Sequence, residues 1–156
     1  MRATPGGRTL ARLGTRTEFG SPKVLGVTRR RGAWLRVIAP ELRNGRTGWI
    51  PARAARLAAT GISIRVDRSA HRLTVRRGQR VLRRFPVAVG RPGNPTPLGR
   101  FAITDRLRTH RADSPYGCCA LALSGHQPHL PPGWPGGDRI AIHATPATAT
   151  IGHSAS

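Results

Sequence analysis

The 156-residue chain, 38% hydrophobic, has room for one medium domain or two small ones with a modest core, and its 19 glycines and 14 prolines argue for a turn-rich β protein over a helical bundle. No uninterrupted apolar run reaches bilayer length, and no charged-apolar-small leader opens the chain, so the chain as it stands is read as not membrane-spanning. The net charge of +21 is almost all arginine, with Lys23 the only lysine among 27 basic residues; it favours polyanionic partners, but the 4% aromatic content offers no stacking platform and no specific nucleic-acid partner is expected.

From about Thr9 to Pro51, short apolar runs alternate with turn signals. The runs are Leu10–Leu13, Val24–Val27, Trp34–Ile38 and Gly48–Pro51, and the breaks are Phe19–Pro22, Arg31–Gly32 and Arg43–Arg46. Close spacing of short strands predicts a small barrel. Arg29–Arg31 reads as a hairpin turn, and Trp34 and Trp49 as barrel core. Alanines between Pro51 and Thr60 predict a short helical turn and a linker. The division expected is therefore 1–57 and 61–156, with an all-β fold in both parts.

From Ile62 onward, period-two alternation returns. Ile62, Ile64 and Val66 alternate with Ser63 and Arg65, and Leu73 and Val75 with Arg72 and Thr74. Turns at Asp67–Ser69 and Arg77–Gln79 then predict an antiparallel meander. Gly90–Phe101 is a rigid loop dense in glycine and proline. Cys118 and Cys119, the only cysteines, supply neither a disulfide framework nor a zinc site, and at least one reads as a small core-filling residue of a strand. His126 and His129 sit in a proline-rich loop without nearby thiols or carboxylates in sequence, so no metal site is expected there. His71, His110 and His153 read as solvated loop residues.

The last stretch carries the chemistry. In Gly136–His143 an apolar run delivers a histidine to its end, and small residues follow from Ala144 to Thr150. A histidine held by a strand beside a small-residue loop suits general-base work on a nucleophile.

Taken in order, Ile64–Asp67, Leu73–Val75, Phe85–Gly90, Thr96–Phe101, Tyr116–Gly117, Ser124–His126, Ile140–His143 and Ile151–Gly152 resemble the L,D-transpeptidase (YkuD) catalytic domain over roughly Gly61 to Ser156. Trp34–Val37 followed by Gly48–Ile50 resembles a bacterial SH3-like domain, expected to be N-terminally incomplete. The resemblance implies a small SH3-like barrel followed by a β-sandwich-like catalytic domain lacking its C-terminal strands.

It also implies cysteine acyl transfer in the cell wall, outside the cytoplasm. A thiolate attacks the stem peptide of peptidoglycan, D-alanine leaves, and an amine of a neighbouring stem resolves the thioester into a cross-link between the third residues of two stems. No cofactor and no metal is implied. His143 takes the catalytic position. Thr96, Tyr116, Trp134, Ala144 and Ser156 take substrate-binding positions; the loop that carries Trp134 reads equally as a lid over the substrate or as surface packing. Ser156 matches the serine of the family's cysteine motif, which puts the nucleophile about three residues further on, so that the chain as given is expected to be an inactive fragment. Stem peptides are the expected partners, with acidic wall polymers possible through the charge. A non-catalytic peptidoglycan-binding module is the alternative, and a basic nucleic-acid-binding protein the weaker one.

Overall fold

The computed structural model describes residues 1–109 and 114–155. Among the described residues 39% lie in strands or isolated bridges and only 4% are helical, so the all-β expectation holds. The strands are β1 (Gly26–Arg31), β2 (Trp34–Ile38), β3 (Gly48–Pro51), β4 (Ile62–Asp67), β5 (Arg72–Arg77), β6 (Arg80–Pro86), β7 (Ile103–Arg108), β8 (Cys119–His126) and β9 (Arg139–His143). They form three antiparallel meanders in sequence order, β1-β2-β3, β4-β5-β6 and β7-β8-β9.

The strands divide between two compact units. The first combines Met1–Arg56 with Pro97–Gln127 and Gly136–Pro146; the second combines Leu57–Thr96 with Pro128–Pro135 and Ala147–Ser156.

In the first unit, alternation along β2 turns Leu35 and Val37 inward at 0% exposure, where Ile50 of β3 joins them. Met1, Leu13, Leu25 and Ala52 close around that cluster. Trp34 lies on the other side of the same alternation and is half-buried; Trp49, beside Ile50, is half-buried as well. The expected tryptophan core is therefore a leucine–valine–isoleucine core. Arg29–Arg31 does not form the hairpin turn: these residues finish β1, and the reversal falls at Gly32–Ala33, where Gly32 takes φ +54°. Arginines suit an exposed edge strand, and the left-handed turn needs the glycine. Leu10–Leu13 is not a strand. The helical turn expected after Pro51 is a 3₁₀ turn at Ala52–Ala54.

Side chains from the N-terminal segment reach β7 and β8. Thr17 donates to Asp105 at 2.5 Å. Asn44 and His126 exchange a reciprocal pair, Asn44 Nδ2 donating to the His126 carbonyl at 2.6 Å and His126 N–H to Asn44 Oδ1 at 2.9 Å. A side-chain amide here copies the pairing of a neighbouring strand at the end of β8.

In the second unit, Leu73 of β5 is buried and the expected antiparallel meander forms, with a register shift between β5 and β6 at Val75–Arg76. Segment 151–155 is fastened to Val87–Val89: Gly152 N–H donates to Val87 O, Val89 N–H to His153 O and Ala155 N–H to Val89 O. His71 is tied in too. Its ring Nε2 lies 3.2 Å from Ser154 Oγ and its carbonyl accepts from Val87 N–H, so it is not the solvated loop residue expected. His110 lies outside the described residues.

Candidate functional site

β9 ends at His143, as the apolar run suggested. Ala120 of β8 stands opposite His143, and the next residue, Ala144, donates its N–H to Cys119 O at 3.1 Å. The histidine is exposed at the strand end. Its Nδ1 lies 2.6 Å from the carbonyl of Ala144. A carbonyl only accepts, so Nδ1 carries the proton, and Nε2 is the accepting nitrogen of the neutral ring. A base needs that tautomer if Nε2 is to take a proton from a nucleophile.

The turn before β8 packs against this strand end. Tyr116 meets the His143 ring edge-on, with centroids 5.1 Å apart and planes at 85°. Gly117 takes φ +60°, and a Cβ built there would stand 2.7 Å from Ala144 Cβ and 3.0 Å from its carbonyl carbon. Only glycine satisfies both the backbone conformation and that approach. Thr109 clamps the turn from its other side, its N–H donating to Cys118 O at 3.0 Å and its hydroxyl to Gly117 O.

Cys118 and Cys119 follow directly and are joined to each other in a disulfide. Both are exposed. The core-filling expectation fails because β8 turns Ala120, Ala122 and Ser124 inward, which puts Cys119 on the outer face and Cys118 in the turn.

At the opposite end of β9, Arg139 anchors the strand. Its Nε donates to Leu123 O at 2.7 Å and its Nη2 to Thr104 Oγ1 at 2.8 Å, while Nη1 pairs with Glu18. Asp105 lies beside this cluster at 3% exposure. Burial pushes its carboxyl up, but the hydrogen bond from Thr17, the neighbouring Ser21 and Thr104 hydroxyls and the charge of Arg139 outweigh it and hold the carboxyl below its ordinary value. His126 is the last residue of β8 rather than a loop residue. Nδ1 faces Asp138 at 2.9 Å and Nε2 faces Pro40 O at 2.7 Å. The carboxylate missing near His126 in sequence is thus supplied twelve residues later by Asp138, and the ring serves as a tie. Among the described residues no group of three or more histidine, cysteine or acidic side chains could hold a metal ion.

Of the expected site residues, Tyr116, His143 and Ala144 come together. Thr96 and Trp134 belong to the second unit. Thr96 Oγ1 accepts from Gly90 N–H at 2.8 Å, and its carbonyl accepts from Arg68 at 2.6 Å, so it pins the Gly90–Thr96 loop. Trp134 is 47% exposed in a turn closed by its N–H donating to Pro131 O. Ser156 lies outside the described residues. Sequence reasoning passed over Arg139, Asn44 and Asp105. One signal was available for the charged pair: with only six acidic residues against 27 basic ones, any acid that the fold buries is a candidate partner for an arginine.

A family model described as the L,D-transpeptidase catalytic domain, YkuD, matches residues 61–156, more than half of the chain. The chain is also 46% identical over 46 residues to L,D-transpeptidase 1 of Mycobacterium tuberculosis, in strain ATCC 25618 / H37Rv and in strain CDC 1551 / Oshkosh alike. That stretch is 30% of this chain and 18% of each relative, so the chain matches less than a fifth of the relatives' length.

Proposed function

Since the chain belongs to the YkuD family of L,D-transpeptidase catalytic domains, we propose that it serves peptidoglycan cross-linking by cysteine acyl transfer in the cell wall, outside the cytoplasm. The observation that carries this reading is His143: exposed at the end of β9, with Nδ1 committed to the Ala144 carbonyl and Nε2 left as the proton acceptor. In the proposed reaction Nε2 takes the proton of a cysteine thiol. The thiolate adds to the carbonyl of the stem peptide, D-alanine leaves with that proton, and a thioester remains. An amine of a second stem then adds to the thioester, joins the two stems at their third residues and returns the thiol. Tyr116 orients the ring of His143, and the Gly117–Ala144 contact fixes the turn beside it. Thr96 and Trp134 are proposed as further contacts for the stem peptide. Residues 61–156 are proposed as the catalytic domain and 1–57 as an SH3-like module.

One observation favours a second reading. Cys118 and Cys119 are joined to each other, so neither offers a free thiol. On that reading the chain holds peptidoglycan without reacting.

Intact-mass measurement separates the two. The chain is incubated with a carbapenem, alone and continued past Ser156 through the family's cysteine motif. The proposal expects an acyl adduct on the motif cysteine of the continued polypeptide and none on the 156 residues. An adduct on the reduced 156-residue chain, lost in Cys118→Ala or Cys119→Ala, would transfer the nucleophile to the paired cysteines. No adduct on either polypeptide, with stem-peptide binding retained, would establish the binding module.

A further inference from the structure

The meander β4-β5-β6 carries a surface that the proposed chemistry does not use. Side chains on a strand alternate between faces, and residues directly opposite on neighbouring strands share a face. Thr74 of β5 stands opposite Arg65 of β4 on one side and Arg84 of β6 on the other. Arg72 and Arg76 lie two residues either way along β5 and share the same face. Four arginines therefore surround one threonine. With strands about 4.8 Å apart and a rise of about 3.3 Å per residue, Arg65 and Arg84 start about 10 Å apart and Arg72 and Arg76 about 13 Å apart.

Arg65, Arg72 and Arg84 are exposed. Arg76 leans on the β5–β6 turn, donating to Gln79 O at 2.8 Å. Among the described residues the only carboxylate on this face is Asp67, opposite Arg72 at the end of the array; its Oδ1 accepts from Ala70 N–H and Ser69 Oγ, and these bonds with the charges of Arg72 and Arg65 hold it below its ordinary value. Among the described residues no ion pair engages any of the four arginines. At one end of the array a depression is lined by Ala70, His71, Arg72, Arg84, Phe85 and Pro86.

We propose that this face of β4-β5-β6, centred on Thr74, binds a linear phosphodiester polymer of the cell envelope. Diagonal neighbours on adjacent strands start about 8 Å apart and the outer pairs about 10–13 Å apart, so no single small anion meets all four guanidinium groups at once, and an open sheet face does not enclose one. A chain with a charge on every repeat engages all four at once, with one phosphate seated in the depression between Arg72 and Arg84. Arginine matches phosphate oxygens in pairs, and Thr74 supplies a central hydroxyl. The envelope as the source rests on the function proposed above, but the binding itself is independent of acyl transfer. The surface would hold the protein to its substrate's surroundings.

The test is titration of the full chain with poly(glycerol phosphate) across a salt series. The variant R65Q/R72Q/R76Q/R84Q is compared with R29Q/R30Q/R31Q/R106Q, which removes the same charge elsewhere. The proposal expects the first variant to lose at least about tenfold in affinity relative to the second, and its slope of log affinity against log salt to be shallower by roughly three. T74E, which places a carboxylate amid the four arginines and removes none of them, should lose affinity in the same direction. Equal losses in the two quadruple variants, or a T74E chain that binds as the parent does, would overturn the proposal. Tighter binding to duplex DNA than to the polymer, lost in the first variant, would overturn the envelope polymer as the occupant.

Discussion

Gly117→Ala tests the architecture around His143 at a single atom. The added methyl meets three obstacles, Ala144 Cβ at 2.7 Å, the Ala144 carbonyl carbon at 3.0 Å and Thr145 N at 3.1 Å, and two of the three are backbone. The left-handed conformation at φ +60° adds a cost of about 1 kcal/mol for a residue with a Cβ. Overpacking against a main chain that cannot rotate away adds about 1–3 kcal/mol. The sum is about 2–4 kcal/mol, read as a shift of the urea midpoint at constant slope. Because β9 is the neighbour that must yield, the Tyr116–His143 contact should open as well. Tyr116 is the only tyrosine, so its ring signals in a tyrosine-labelled NMR sample report on that contact alone. Adding Ala144→Gly removes the closest contact and should return about 1 kcal/mol, leaving the conformational cost and the backbone contacts in place. A Gly117→Ala chain within about 0.5 kcal/mol of the parent, with unmoved Tyr116 signals, would refute the packing described here.

Three further outcomes follow from the first unit. Arg139→Met removes the donors to Leu123 and Thr104 and the pair with Glu18, and leaves Asp105 without its neighbouring cation; it should cost about 3–5 kcal/mol in chemical denaturation, and a loss under 1 kcal/mol would count against the anchor. Leu35→Ala empties a fully buried position and should cost about 2–5 kcal/mol, seen as a lowered thermal midpoint. Asp105 has a folded-state carboxyl below its ordinary value, so it contributes stability above its unfolded pKa of about 3.9, and that contribution is lost as pH falls through the lower folded value. Asp105→Asn should therefore flatten the acid side of the stability profile; parallel acid limbs in parent and variant would contradict the assignment.

Much of this architecture is legible in the sequence because it is local. Period-two alternation in Ile62–Val75 fixed both strand type and pairing, and the run Ile140–Ile142 delivered His143 to a strand end. Local composition misled at Arg29–Arg31, where three charged residues resemble a turn but an exposed edge strand accepts them and Gly32 alone can make the reversal. It misled at Cys118–Cys119 because one residue of register decides which face of β8 is buried, and Ala120 occupies the inner one. The ties that hold β9 were out of reach. Arg139 meets Glu18 across 121 positions and Asn44 meets His126 across 82, and no periodicity announces a partner at such separations.

The central claim is that His143 moves the proton in acyl transfer. The most direct measurement is D-alanine release from a tetrapeptide stem by the chain extended with the family's cysteine motif, comparing the parent with His143→Gln at matched folding. The account predicts that the substitution lowers the rate of release by about 100-fold or more while stem binding stays within a few-fold. Release at the parent's rate would contradict it and remove His143 from the chemistry.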